Sequence, residues 1–109
     1  AVTKASYELH YNNLITLVNT TKEIFNYPDL PFIAGDFVPQ WKNENIELCK
    51  PVVKAMRDVC KAVNGRFVDT DGLLSNAQTY DCDDKIHFSR DSLYRLGEKY
   101  FDAFKEVIK

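Results

Sequence analysis

The stretch LPFIAGDF, from Leu30 to Phe37, decides the fold class of this chain of 109 residues. Its apolar part is continuous rather than alternating, which is typical of a strand buried on both faces of a parallel sheet. A second short strand is predicted at 66–70, where RFVDT leads into an acidic, glycine-containing loop at 71–72. The first strand likewise ends in a Gly-Asp pair, so we predict that both strands lead to loops at their carboxyl ends.

Helical periodicity precedes and follows the first strand. Apolar residues spaced three and four apart predict an amphipathic helix over 3–25, which must end ahead of Pro28 because a residue before proline avoids the helical region. A second helix is predicted to begin within 43–48 and to run to Asn64, with Pro51 in its first turn. Gly65 then follows as the glycine expected after a helix end.

The last third of the chain combines a long loop with a closing helix. Residues 73–88 show no periodicity, and a polar loop of that length is often functional. A final helix is predicted to start at Ser89, whose hydroxyl suits an N-cap position. Strands that alternate with helices predict a parallel sheet with crossover connections.

Two parallel strands do not make a stable sheet by themselves. Both strands are apolar enough to need neighbours on each side, and the chain begins with Ala1 rather than methionine. We therefore expect the chain to be the second half of a larger α/β domain and not to fold alone in this architecture. Further strands, from a preceding segment or another chain, are expected beside these two.

Composition excludes several classes of protein. Hydrophobic residues make up 45% and charged residues 28%, which is typical of one globular domain and not of a disordered tail. The formal charge of −2 gives no reason to expect a nucleic-acid partner. No apolar run approaches the roughly 20 residues that span a bilayer, so no membrane association is expected. Three cysteines, an odd number, do not describe a disulfide scaffold and favour a reducing compartment, cytoplasmic rather than secreted.

The end of the long loop carries the most reactive pair of residues, Asp84 and His87, in the sequence DKIH. A carboxylate three residues ahead of a histidine on a turn can accept the Nδ1–H of the imidazole, which leaves Nε2 free to take a proton from a serine. The alternative is a surface turn in which His87 caps the loop or packs on Phe88. A D-x-x-H tetrapeptide is common, and its place after a buried strand, where ligands collect in parallel sheets, favours the functional interpretation.

Four segments of the chain together resemble the SGNH (GDSL-like) hydrolases, and most closely the sialate O-acetylesterase and acetylxylan esterase-related carbohydrate esterases. Their order and spacing cover nearly the whole chain. The segments are the YxxxYxxLI helix at 7–15 with the strand LPFIAG at 30–35, the strand end FVDTDGL at 67–73, the block DKIHFS at 84–89, and LGEKY at 96–100.

The resemblance implies a three-layer α/β/α sandwich with a flavodoxin-like parallel sheet, of which residues 1–109 are the C-terminal half of a single domain. It also implies that Asp84 and His87 are the catalytic acid and base. The nucleophilic serine and the oxyanion residues of the family are expected upstream of Ala1, in the missing N-terminal half, which is then an obligatory partner. The chain's own serines match no nucleophile position: Ser6, Ser75, Ser89 and Ser92.

The function implied is serine-dependent hydrolysis of an ester, with an acetylated carbohydrate as substrate and without a cofactor. No metal is expected, since the segment DTDG at 69–72 lacks the third oxygen ligand and the bidentate glutamate of an EF-hand. The alternative is a non-catalytic domain that binds a carbohydrate or a protein on an esterase scaffold without its nucleophile. The residues upstream of Ala1 would decide between these two.

Overall fold

The computed structural model describes residues 2–108 and contains two short parallel strands among helices. The structure also contains two short helices that the sequence did not predict. Their four to six residues are too few to establish a helical period. The elements are α1 (Val2–Ile24), β1 (Ile33–Gly35), α2 (Pro39–Glu44), α3 (Ile46–Ala62), β2 (Arg66–Val68), α4 (Asn76–Thr79) and α5 (Arg90–Val107). None of the helices within 2–108 has the length and apolar character that crossing a bilayer requires.

The sheet within the described residues consists of β1 and β2, which pair in parallel as predicted. Ala34 lies opposite Phe67, and Gly35 lies opposite Val68. Within the described residues all of β1 is half-buried and only Val68 of β2 is buried, whereas the full burial predicted for both strands includes neighbours that this chain does not contain. The reason is that each strand has a strand neighbour on one side only within 2–108.

Helices α3 and α5 cover opposite faces of this sheet. Arg57 of α3 lies with its guanidinium carbon 4.2 Å from the centre of the Phe67 ring. Gly35 of β1 lies one residue beyond Ala34, the partner of Phe67. A Cβ added at Gly35 would overlap the hydroxyl of Tyr100 in α5. Because successive strand residues point to opposite faces, and Phe67 shares its face with Ala34 rather than Gly35, the two helices lie on different sides of the sheet. Helix α1 packs along α3.

The ends of α3 differ from the sequence prediction in two details. Pro51 lies inside the helix and not in its first turn, because α3 already begins at Ile46, directly after the end of α2. The helix ends within two residues of the predicted Asn64, but the left-handed residue that follows it is Asn64 itself, with φ 58°, rather than Gly65. Gly65 is needed for another reason, since a Cβ there would overlap the carbonyl oxygen of Phe32.

A polar cluster joins α1 to α3. The hydroxyl of Tyr7 donates to Asp58 Oδ2 at 2.5 Å, and Lys54 Nζ donates to the same oxygen at 2.9 Å. The Lys54 ammonium also lies 4.4 Å from the centre of the Tyr7 ring. The hydrogen bond from Tyr7, followed by that from Lys54, holds the pKa of Asp58 below its ordinary value. The folded state therefore favours the ionised carboxylate.

We expect Tyr7→Phe to lower the free energy of unfolding at pH 7, because it removes a hydrogen bond to a partly buried carboxylate. Since folding lowers the pKa of Asp58, this stability is present above the unfolded Asp pKa of about 3.9 and is lost as the pH falls through the folded value. Urea unfolding at pH 7 and at pH 3 should show a smaller difference between variant and wild type at pH 3.

The matched control is Tyr11→Phe, since the Tyr11 ring stacks 5.9 Å from that of Tyr7 while its hydroxyl is not the Asp58 donor. Equal losses of stability for the two variants at pH 7 would contradict the assignment of the stabilising bond to Tyr7.

Candidate active site

The loop after β2, which has no periodicity in its sequence, folds back on itself through hydrogen bonds between its two ends. The amide of Asn76 donates to the carbonyl of His87 at 3.0 Å, and the amide of Ala77 donates to the carbonyl of Asp84 at 2.7 Å. An antiparallel bridge joins Ser75 to Phe88. The two ends of the loop are therefore tied together across the segment that carries the Asp-x-x-His sequence.

Helix α4 begins this ordered part of the loop with a capping box. The Ser75 hydroxyl accepts from the amide of Gln78 at 3.1 Å, and the Gln78 side chain accepts from the amide of Ser75 at 2.9 Å. The sequence signal was present, because a serine followed three residues later by glutamine is the pattern of such a cap. The cap was not predicted, because a helix of only four residues has no periodicity that would draw attention to this pattern.

Buried hydroxyl groups fix the loop to the segment that follows β1. Ser75, which is fully buried, donates to Gln40 Oε1 of α2 at 2.5 Å. Thr70, also fully buried, donates to the carbonyl of Phe37 at 2.5 Å. The loops at the carboxyl ends of β1 and β2 are thus held against each other.

Surface and buried ion pairs extend this anchoring. At the surface, Lys85 Nζ donates to Glu44 Oε1 of α2 at 3.1 Å. Helix α2 is itself held by a buried ion pair, in which Lys42 Nζ lies 2.6 Å from Asp36 Oδ2. The long loop therefore rests on a short helix whose position is fixed by the end of β1.

Asp84 and His87 contact each other at the end of this loop, as expected from their spacing. The imidazole Nδ1 lies 3.0 Å from Asp84 Oδ2 and 3.1 Å from Oδ1. The amides of Ile86 and His87 each donate to Oδ1 at 3.1 Å, and Asn76 Nδ2 donates to Oδ2 at 2.9 Å. The hydrogen bond from Asn76 and those from the turn's backbone lower the pKa of Asp84 to about 2.

The ionised carboxylate fixes the chemistry that His87 offers. A carboxylate only accepts hydrogen bonds, so Nδ1 is the nitrogen that carries the proton and Nε2 keeps a free lone pair. The His87 side chain is 76% exposed. The pair lies on the loop after the carboxyl end of β2, as predicted, and the described residues form no cleft around the imidazole. The arrangement offers surrounding molecules a proton acceptor of fixed orientation.

The serines near the loop serve its structure. Ser89 caps α5 as predicted, since its side chain accepts from the amide of Ser92 at 3.4 Å. Ser92 Oγ in turn accepts from the amide of Leu74 at 2.8 Å, and Ser75 holds the contact with α2. All three are buried.

The cysteines form no disulfide among the described residues. Cys49 and Cys60 are buried, and burial raises the pKa of both thiols, which keeps them protonated and unreactive. Cys82 is exposed. In the part of the chain that the structure describes, no three His, Cys, Asp or Glu side chains come together as metal ligands would.

Comparison with known proteins identifies the family. The model of one protein family, described as carbohydrate esterase, sialic acid-specific acetylesterase, matches residues 1–106. Because the match spans nearly all of the chain, the protein belongs to this family of carbohydrate esterases, and the family predicted from the four sequence segments is confirmed. No curated protein and no solved structure matched the chain.

The Asp84 carboxyl should remain mostly ionised at pH 3. With a pKa of about 2 it is about one-tenth protonated there, whereas an ordinary aspartate with a pKa of about 3.9 is about nine-tenths protonated. Because folding lowers this pKa, the contribution of Asp84 to stability is present above the unfolded value of about 3.9 and is lost as the pH falls from there through the folded value of about 2. A ¹³C carboxyl NMR titration measures it, with the same protein unfolded in urea as the control. Equal midpoints in the two states would contradict the hydrogen-bonding scheme.

Proposed function

We propose that the protein is a serine-dependent ester hydrolase that removes O-acetyl groups from a carbohydrate, with His87 as general base and Asp84 as the carboxylate that orients it. The observation that carries the proposal is the ionised Asp84 carboxylate 3.0 Å from His87 Nδ1 in a chain of a carbohydrate esterase family. This is the contact that a base needs in order to present Nε2 to a hydroxyl.

In the proposed reaction, His87 Nε2 takes the proton of a serine hydroxyl while the serine oxygen attacks the acetyl carbonyl. Asp84 stabilises the imidazolium that forms, and this imidazolium then gives its proton to the departing sugar hydroxyl. An acetyl-serine remains, and water activated by the same histidine releases acetate from it. No step calls for a cofactor.

The serine itself is proposed to come from a segment outside residues 1–109, in the N-terminal half of the same domain. The three buried serines around the loop have structural hydrogen bonds, which supports a nucleophile from elsewhere. The half-buried strand β1 and the exposed apolar side chains on α1 and α5 support a further part of the domain against this chain. Among these side chains are Leu9, Leu17 and Ile24 of α1 and Leu93, Tyr94, Phe101 and Phe104 of α5.

The complete domain is proposed to be a three-layer α/β/α sandwich with a flavodoxin-like parallel sheet. The placement of α3 and α5 on opposite faces of the β1–β2 pair supports this architecture. Further strands beside β1 would pair with the edge that the two-stranded sheet leaves unpaired within the described residues.

An acetylated sugar is proposed as substrate because the family is one of carbohydrate esterases. Its description names sialic acid, so O-acetylated sialic acid is the first carbohydrate to assay. p-Nitrophenyl acetate serves as a general acetyl ester that reports on the acyl-transfer chemistry without a requirement for sugar recognition.

In the full-length protein, His87→Ala should lower kcat on p-nitrophenyl acetate by a factor of about 10⁴ or more, since removal of the base of such a triad has that effect. Its free energy of unfolding should change by less than about 1 kcal/mol, because the side chain is exposed and contributes little packing. Initial rates at saturating substrate and urea unfolding measure the two effects.

The matched control is His10→Ala, which removes the second of the two histidines of the chain, from helix α1. It should leave kcat unchanged. Wild-type turnover in His87→Ala would contradict the proposed mechanism. Absence of hydrolysis by the wild-type protein on either substrate would instead favour a non-catalytic binding domain on an esterase scaffold.

A further inference from the structure

Asn76 lies at the point where the short helix α4 meets the Asp84–His87 turn. Its side-chain Nδ2 donates to Asp84 Oδ2 at 2.9 Å, and its backbone amide donates to the carbonyl of His87 at 3.0 Å. One residue therefore holds the carboxylate of one member of the pair and the backbone of the other.

The remaining donors to the Asp84 carboxylate come from the turn itself. The amides of Ile86 and His87 both bind Oδ1. These bonds are local to the tetrapeptide and leave Oδ2 to Asn76 and the imidazole. Within residues 2–108, Asn76 is thus the one side chain outside the Asp-x-x-His segment that donates a hydrogen bond to the Asp84 carboxylate. This bond fixes the rotation of the carboxylate.

Asn76 is well supported for this task. It is the first residue of α4, directly after Ser75, which is fully buried and bound to Gln40 of α2. A side chain that is itself held in place can orient another group more closely than one on a free loop. The position of the carboxylate therefore depends, through Asn76, on the hydrogen bond by which Ser75 ties the start of α4 to Gln40 of α2.

We infer that Asn76 is a positioning residue of the active site, which fixes the Asp84 carboxylate so that it accepts the Nδ1–H of His87 and leaves Nε2 free as the base. This inference rests on the proposed function for its effect on catalysis. Its structural part concerns the tautomer of His87 and can be measured without any substrate.

The test compares three variants of the full-length protein. Asn76→Ala removes the donor, and the isosteric Asn76→Asp replaces it with a second acceptor that faces Oδ2. Gln78→Ala is the matched control, because it weakens the cap of the same helix and does not touch Asp84. A purely structural role of α4 would affect Gln78→Ala as much as Asn76→Ala.

The first readout is the tautomer of His87 from long-range ¹H–¹⁵N NMR at about pH 8.5, about two units above the ordinary histidine pKa. His10→Gln assigns the signals of the two histidines. We expect the Nδ1–H form to dominate in wild type and in Gln78→Ala, and its population to fall in both Asn76 variants.

The second readout is steady-state hydrolysis of p-nitrophenyl acetate. We expect kcat to fall about tenfold in Asn76→Ala, the usual size for a lost hydrogen bond to a charged group, with KM within about twofold of wild type. The kcat of Asn76→Asp should fall further, because two carboxylates then face each other. Gln78→Ala should stay within about twofold of wild type in both constants.

The inference is overturned if Asn76→Ala keeps the wild-type tautomer, or if Gln78→Ala loses as much kcat as Asn76→Ala. A tautomer change in the Asn76 variants of a protein that hydrolyses no acetyl ester would support the positioning role and reject the proposed function. An unchanged tautomer in a protein with strong esterase activity would reject the role of Asn76 alone.

Discussion

Two buried hydroxyl groups, those of Thr70 and Ser75, determine where the candidate site lies. Both lie in the segment after β2 and donate hydrogen bonds to the segment after β1. Thr70 donates to the carbonyl of Phe37, and Ser75 donates to the side chain of Gln40. A buried hydroxyl without a partner costs about 1–3 kcal/mol, so neither segment can shift without a large penalty. Because parallel strands end at the same edge of a sheet, the pairing of β1 with β2 brings these segments together, and the hydroxyls then fix their distance.

The orientation of the Asp84–His87 pair follows from this anchoring. A D-x-x-H turn supplies its own backbone donors to the carboxylate, but it leaves the turn free to move as a whole. The contacts of Asn76 with both residues and of Ser75 with α2 remove that freedom. The lowered pKa of Asp84 is the electrostatic result, since donors that surround a carboxylate favour its charged form. An ionised carboxylate in turn assigns the proton to Nδ1 of His87.

The parts of this structure that were predictable from the sequence are those decided by short-range signals. The helical periods, the cap at Ser89 and the contact between Asp84 and His87 each depend on residues within a few positions of one another. The parallel pairing of β1 and β2 was also predictable, because a helix between two apolar strands leaves few other arrangements. The four family segments identified the carbohydrate esterase family, which the match over 1–106 confirms.

The parts that were missed depend on contacts between distant residues or on short elements. The bond between Ser75 and Gln40 joins residues 35 positions apart, and no local pattern predicts it. The role of Asn76 follows only when α4 has been placed against the turn. The half-burial of β1 could not be derived from its continuous apolar run, since burial depends on neighbours as well as on composition. The sequence predicts Gly65 as the glycine that follows a helix end, whereas the structure requires glycine there because the Phe32 carbonyl approaches closely.

The central claim is that His87 activates a serine that lies outside residues 1–109, and covalent labelling tests it most directly. The full-length protein would be treated with a fluorophosphonate, which reacts with activated serines, and the labelled peptide would be located by mass spectrometry. We predict one labelled serine outside this chain, with a labelling rate that falls by orders of magnitude in His87→Ala. Labelling of Ser75, Ser89 or Ser92, or a rate independent of His87, would contradict the account.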